Sequence, residues 1–125
     1  MKLLDANYVL RFILHDNEEM AQQVRKEILS DLVYVPDVVL AEIVFVLSKT
    51  YGIDRKIVAD SVLKFISIHN VRTQNQEAVR KCLELYSAIA LDFVDCLLAA
   101  YHVVEGHEIC TFDKKLRKVI DRADA

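Results

Sequence analysis

Hydrophobic and polar positions change period several times along the chain, and each change marks an element. Residues 2–4 form a short apolar β candidate ending in Asp5, and residues 7–14 read as a helix. Residues 18–30 place Met20, Val24 and Ile28 at helical spacing with charges opposite, an amphipathic helix. Residues 32–35 (Leu-Val-Tyr-Val) are a β run that Pro36 stops. Asp37 is placed to cap a strongly apolar helix reaching Thr50. Gly52 ends that helix, and Asp54 caps the next, which runs to about Ile68. Residues 70–72 form a short strand. Asn75 then caps a helix whose stripe is Val79, Leu83, Tyr86 and Ala90. Asp92 opens a further helix, through Val104, that Gly106 stops. Residues 108–111 are the last strand candidate, and a basic helix closes the chain.

Strands thus alternate with helices, with no repeat and no linker between them. The expected class is α/β, with a parallel sheet flanked by helices and one domain over residues 1–125. In such sheets ligands bind outside the carboxyl ends of the strands. At 125 residues the chain suits one core, because a compact chain of this size buries about two thirds of its surface. With only 2 Gly and 1 Pro, there is little material for the tight turns of an all-β barrel or sandwich. Apolar residues at 54% and charged residues at 28% exclude disorder.

Charge changes the picture at one end. The net charge is -3, so the chain as a whole does not grip nucleic acid by charge alone. Residues 1–113 hold 17 acidic and 11 basic residues, whereas residues 114–125 hold 2 acidic and 5 basic ones. The basic tail is Lys114, Lys115, Arg117, Lys118 and Arg122; on charge pattern alone it is equally a solvated amphipathic helix. Cys82, Cys96 and Cys110 form no CxxC pair and lie in apolar stretches, as expected of buried thiols in a reducing compartment. His15, His69, His102 and His107 lack zinc-ligand spacing, so a metal would be held mainly by oxygen. Asp5, Asn7 and Arg11 break the N-terminal apolar run, and no other run is long enough to span a membrane; the expected location is cytoplasmic.

The informative residues are acids in apolar company. Asp5 ends an apolar strand, and Glu42 is the only charge in Val-Val-Leu-Ala-Glu-Ile-Val-Phe-Val-Leu. Asp95 sits in Leu-Asp-Phe-Val-Asp-Cys-Leu-Leu-Ala-Ala, and Asp113 ends Ile-Cys-Thr-Phe-Asp. A buried carboxylate is costly unless paired or metal-bound, and hard oxygen ligands select magnesium or manganese. Each acid also has a plain structural use: Asp5, Asp92 and Asp113 as helix caps, Asp95 at the positive end of a helix, Glu42 on an exposed strip.

Taken in order, these residues resemble a PIN-domain ribonuclease of the VapC toxin type, over nearly the whole chain. The resemblance lies in Leu-Leu-Asp-Ala-Asn at the start and in Pro-Asp-Val-Val-Leu-Ala-Glu. It continues in Leu-Asp-Phe-Val-Asp-Cys-Leu-Leu-Ala-Ala and in Thr-Phe-Asp at a strand end. It implies a three-layer α/β/α sandwich with a short, mainly parallel sheet. The family's acidic quartet falls on Asp5, Glu42, Asp95 and Asp113, with Asp92 an accessory acid and Asn7 and Thr111 supporting polar groups. It further implies Mg²⁺ or Mn²⁺, an RNA substrate hydrolysed by metal-activated water, a homodimer, and a cognate antitoxin over residues 37–50 and 54–68. Lys114, Lys115, Arg117 and Lys118 are then candidates for contacts with the RNA backbone. Two positions depart from the family pattern: Ala6 stands where a hydroxyl is common, and no final strand follows the last helix.

Two other classes stay in view. A receiver or haloacid-dehalogenase-like phosphotransfer domain needs an acid pair or a D-x-D that Asp5-Ala6-Asn7 does not supply. A catalytically silent PIN-like module that binds a partner needs none of the acids to act.

Overall fold

The computed structural model describes residues 1–125. They pack as two compact units, Met1–Gln74 and Asn75–Ala125. The first holds strands β1 (Lys2–Leu3), β2 (Val33–Val35) and β3 (Val71–Thr73), with helices α1 (Ala6–Leu14), α2 (Glu18–Ser30), α3 (Asp37–Phe45) and α4 (Arg55–Ile66). The second holds α5 (Gln76–Ala88), α6 (Phe93–Glu105) and α7 (Lys114–Asp124). The expected class is met: a central parallel sheet flanked by helices, consistent with a PIN-like α/β/α sandwich.

The three strands run parallel in the order β1-β2-β3, with Lys2 opposite Val33 and Val33 opposite Val71. The middle strand is the most apolar, and Val33 and Val35 are fully buried. Such burial on a central parallel strand is why Leu-Val-Tyr-Val reads as a continuous run rather than an alternation. Leu4 extends the ladder by one bond, from its N–H to the Tyr34 carbonyl at 3.0 Å, and thereby delivers Asp5 to the carboxyl edge of the sheet.

Helix starts follow their caps with one shift. Asn17, Asp54 and Asn75 accept from the backbone N–H groups of Met20, Lys56 and Ala78, as their positions in the sequence imply. At α3 the cap is Pro36 rather than Asp37. The Pro36 carbonyl accepts from Val39 and Leu40 at 2.9 and 3.1 Å, and Asp37 becomes the first helical residue. The apolar run then continues beyond α3 as a π-helical stretch, Val46–Thr50, closed by the Tyr51 N–H on the Val46 carbonyl at 3.1 Å. On α2 the buried stripe is Ala21, Val24 and Ile28; Met20 stands out in solvent, because Ala21, two turns before Ile28, lines up with it and Met20, one residue earlier, is rotated off the stripe. The α5 helix ends at Ala88, so Ala90 falls outside its stripe.

The strand expected at residues 108–111 does not form. Residues 106–113 take neither helix nor strand, and three of their backbone groups meet side chains instead of a ladder. His102 Nδ1 engages the His107 carbonyl at 2.7 Å, Arg117 donates to the Ile109 carbonyl at 2.6 Å, and Thr111 Oγ1 accepts the Asp113 N–H at 3.0 Å. Gly106 begins the strap in the left-handed region at φ 75°, where its N–H closes α6 on the His102 carbonyl. Of the three thiols, Cys82 and Cys96 are buried as expected, but Cys110, on this strap, is exposed. No helix is long and apolar enough to cross a membrane.

His102 of α6 links this strap to the chain's end. His102 Nε2 meets Asp124 Oδ1 at 2.7 Å while Nδ1 faces a carbonyl, so both ring nitrogens are required as donors. The Asp124 carboxylate first, and the His107 carbonyl second, raise the His102 pKa above its ordinary value. The stabilisation is therefore complete below the unfolded histidine pKa and is lost as pH rises through the higher folded one. A histidine titration followed by NMR is expected to show His102 titrating above the free value. Asp124→Asn is expected to move it back down, and an unmoved pKa would contradict the pairing.

Candidate active site

Each unit supplies part of the acidic set. In the first, Asp5 leaves β1 with extended backbone (φ -86°, ψ 170°), and its Oδ1 accepts the Tyr8 N–H at 2.8 Å. It is an exposed N-cap that starts α1. Asn7 lies exposed in the first turn of the same helix. Glu42 lies on α3, where Leu40, Ile43 and Val44 are buried and Glu42 faces water. The expectation that Glu42 sits among apolar neighbours without water is thus corrected. Its helix is apolar on several sides, but Val38 and Phe45 are exposed with it at 75% and 60%.

Beside Asp5 lies a cavity of about 470 Å³, lined by Lys2, Leu3, Leu4, Asp5, Tyr8 and Glu27. Glu27 pairs with Lys2 and raises the lysine pKa. Burial first, and the Glu27 charge second, raise the pKa of Tyr8.

In the second unit the acids gather around the starts of two helices. Asp92 occupies the N-cap position of α6, yet its carboxylate makes no capping bond; its backbone carbonyl accepts from Cys96 at 2.9 Å. Asp95 is in the first turn of α6 and is half-buried. Asp113 is the N-cap of α7 and accepts the Leu116 N–H at 2.8 Å. A carboxylate in the first turn of a helix normally ionises more readily, because the helix dipole favours negative charge there. Asp95 shows the opposite shift: burial raises its pKa, and the charges of Asp113 and Asp92 raise it further. Desolvation and like charge outweigh the dipole at this position.

The basic tail divides by use. Lys115 donates from Nζ to the Ala90 carbonyl at 2.6 Å, and Arg117 holds the Ile109 carbonyl, so both brace their own unit. Lys114 and Lys118 are exposed and point to no acid or carbonyl. The apolar side of α7 buries Leu116, Val119 and Ile120, as expected of an amphipathic last helix. Thr111 supports Asp113 through the hydrogen bond to its N–H rather than through its carboxylate.

These oxygens are the donors a hard divalent cation prefers. Their placement does not close a site, however: no group of three or more His, Cys, Asp or Glu side chains is arranged to hold a metal ion. No metal-dependent step therefore follows from the geometry. One residue escaped the sequence reading altogether. Phe112 follows the expected strand 108–111 as one more apolar residue of Ile-Cys-Thr-Phe, and with no strand there it is fully exposed, at 106%.

Comparison with known proteins places this arrangement. The family described as PIN domain matches residues 2–121, and the match runs through both units. A VapC ribonuclease of Aquifex aeolicus (strain VF5) is 26% identical over 124 residues, covering 95% of this chain and 92% of that one. No solved structure matches the chain at a significant level.

Proposed function

The chain belongs to the PIN domain family, and from that premise we propose that it is a metal-dependent endoribonuclease of the VapC type, the toxin of a toxin–antitoxin pair. The observation that carries this reading is Asp95. It lies within the PIN-domain match and shares the starts of α6 and α7 with Asp92 and Asp113, where burial and the charges of those two acids raise its pKa. Mg²⁺ or Mn²⁺ is the cofactor this reading requires. Its acids are Asp5 and Glu42 in the first unit and Asp95 and Asp113 in the second, with Asp92 accessory and Asn7 and Thr111 supporting. Lys114 and Lys118 are the free cations available to an RNA backbone. One PIN-like domain over residues 1–125, a homodimer, a cognate antitoxin and a cytoplasmic location belong to the same reading.

A second reading, a catalytically silent PIN-like module that binds a partner, is favoured by one observation. No three potential ligands are placed to hold an ion, and on geometry alone this reading is the better supported. Two measurements on the purified chain separate the two: calorimetric titration with MnCl₂, and cleavage of total cellular RNA with the new ends mapped. The ribonuclease reading expects Mn²⁺ binding and discrete cuts with 5′-phosphate ends. No binding and no cuts would leave the module. Ends carrying 2′,3′-cyclic phosphate would exclude hydrolysis by an activated water.

A further inference from the structure

Phe112 is the most exposed large apolar residue of the chain, with its ring wholly in solvent. Leaving a phenylalanine ring in water rather than burying it is unfavourable. The backbone on the C-terminal side of the ring is held by side chains. Thr111 Oγ1 accepts the Asp113 N–H at 3.0 Å, and Asp113 itself caps α7 on the Leu116 N–H at 2.8 Å. The backbone through 111–113 is therefore a tight, side-chain-locked turn that presents the ring outward.

Its neighbours are not those of a simple apolar contact. Asp113 is one of the candidate catalytic carboxylates, and adjacent Cα atoms are about 3.8 Å apart. Lys114 follows directly, and Lys118 lies one turn on along α7 (i, i+4), on the same face; both ammonium groups are free. An exposed aromatic ring followed directly in the chain by exposed cations is a combination suited to single-stranded nucleic acid. Bases stack on such rings whatever their identity, and cations meet the phosphates. An apolar protein partner would leave both ammonium groups without an anion.

We propose that Phe112 is a stacking platform for an unpaired RNA base, with Lys114 and Lys118 on the adjoining phosphates, so that the strand is held next to Asp113. This rests on the ribonuclease reading for the choice of RNA, but it is tested by binding rather than by cleavage. It makes Phe112 a positioning residue for substrate.

The chain contains no tryptophan, so Phe112→Trp installs a single fluorophore at the platform. Binding of a fluorescein-labelled oligoadenylate octamer to the full chain, in EDTA to prevent cleavage, gives the affinity. Unlabelled octamer titrated into Phe112→Trp gives the stacking signal. Phe112→Ala is expected to weaken binding about tenfold, and Phe112→Trp to keep the parent affinity and lose emission as RNA saturates it. Because the ring buries nothing, the alanine variant keeps its fold, which thermal melting checks. Failure of the parent chain to bind the octamer, equal affinity of the alanine variant, or unchanged tryptophan emission at saturation would each overturn the proposal. So would a shift of the alanine variant from dimer to monomer with RNA affinity intact, since the ring would then be a subunit contact. Binding that depends on Phe112 in a chain that never cuts RNA would uphold the platform and defeat the ribonuclease reading. RNA cutting that ignores Phe112 would do the reverse.

Discussion

Asp95→Asn is expected to abolish RNA cleavage, by about 100-fold or more, and to make the folded protein more stable at neutral pH. The first effect follows from the proposed activity, because an amide lacks the negative charge with which Asp95 would help to hold a divalent cation. The second follows from the raised pKa of Asp95 and does not depend on the activity. Burial and the charges of Asp113 and Asp92 raise the folded-state pKa of Asp95. A carboxyl with a raised pKa opposes folding once it ionises. That opposition is absent below the unfolded pKa, grows through the interval up to the folded value, and is complete above it. Asparagine keeps the shape and removes the charge. Thermal melting at pH 7 should therefore give a higher midpoint for the variant, and the gap should close as pH falls below the ordinary aspartate range. A lower midpoint at pH 7 would mean that Asp95 has a favourable partner, contrary to the raised pKa. Loss of activity together with gain of stability would distinguish a functional carboxylate from a structural one.

The largest effect on stability is expected from Phe65→Ala. Phe65 is 2% exposed on α4, and its ring meets that of Phe12 at 5.9 Å between centroids, tilted by 58°. Truncating a buried phenylalanine costs about 3–5 kcal/mol, from the lost transfer energy and from the cavity left behind. Domains of this kind are stable by only about 5–15 kcal/mol, so the variant forfeits a large fraction of the whole. Urea unfolding should show a midpoint lowered by that amount at an unchanged slope. Val38→Ala provides the contrast: at 75% exposed it should change stability by no more than about 0.5 kcal/mol. Equal costs at the two positions would show that the core is not where the packing places it.

The alternation of short apolar runs with helical stripes locates β1, β2, β3 and the helices to within a residue or two, except that the apolar helix expected to reach Thr50 ends as α3 at Phe45 and continues as a π-helical stretch. The reason is that caps such as Asn17, Asp54 and Asn75 act within a single turn, and local chemistry is visible in local sequence. Three features were not visible. Ile-Cys-Thr-Phe has strand chemistry, but a strand needs a neighbour, and here His102, Arg117 and Thr111 engage the strap instead. Glu42 looked enclosed because its sequence neighbours are apolar. Whether a helix face meets water is decided by tertiary packing, and that face of α3 does. Asp37 looked like a cap, but the Pro36 carbonyl begins the helix one residue sooner. Of the candidate site, the identity of the acids was legible. The tension among Asp92, Asp95 and Asp113 was not, because it depends on two helix starts brought near each other from 18 residues apart in the chain, Asp95 to Asp113.

The order β1-β2-β3 also has a meaning for how the first unit comes to be folded. Each new strand is laid on the edge of the one before it. The closures required are 31 residues from Lys2 to Val33 and 38 from Val33 to Val71. No strand has to be inserted between two that are already paired. Loop-closure entropy grows only slowly with such lengths, and each closure is preceded by helices that form locally. As the chain leaves the ribosome, the sheet can therefore grow in the order of synthesis, from Lys2 onward, before the acids of α6 and α7 have been made.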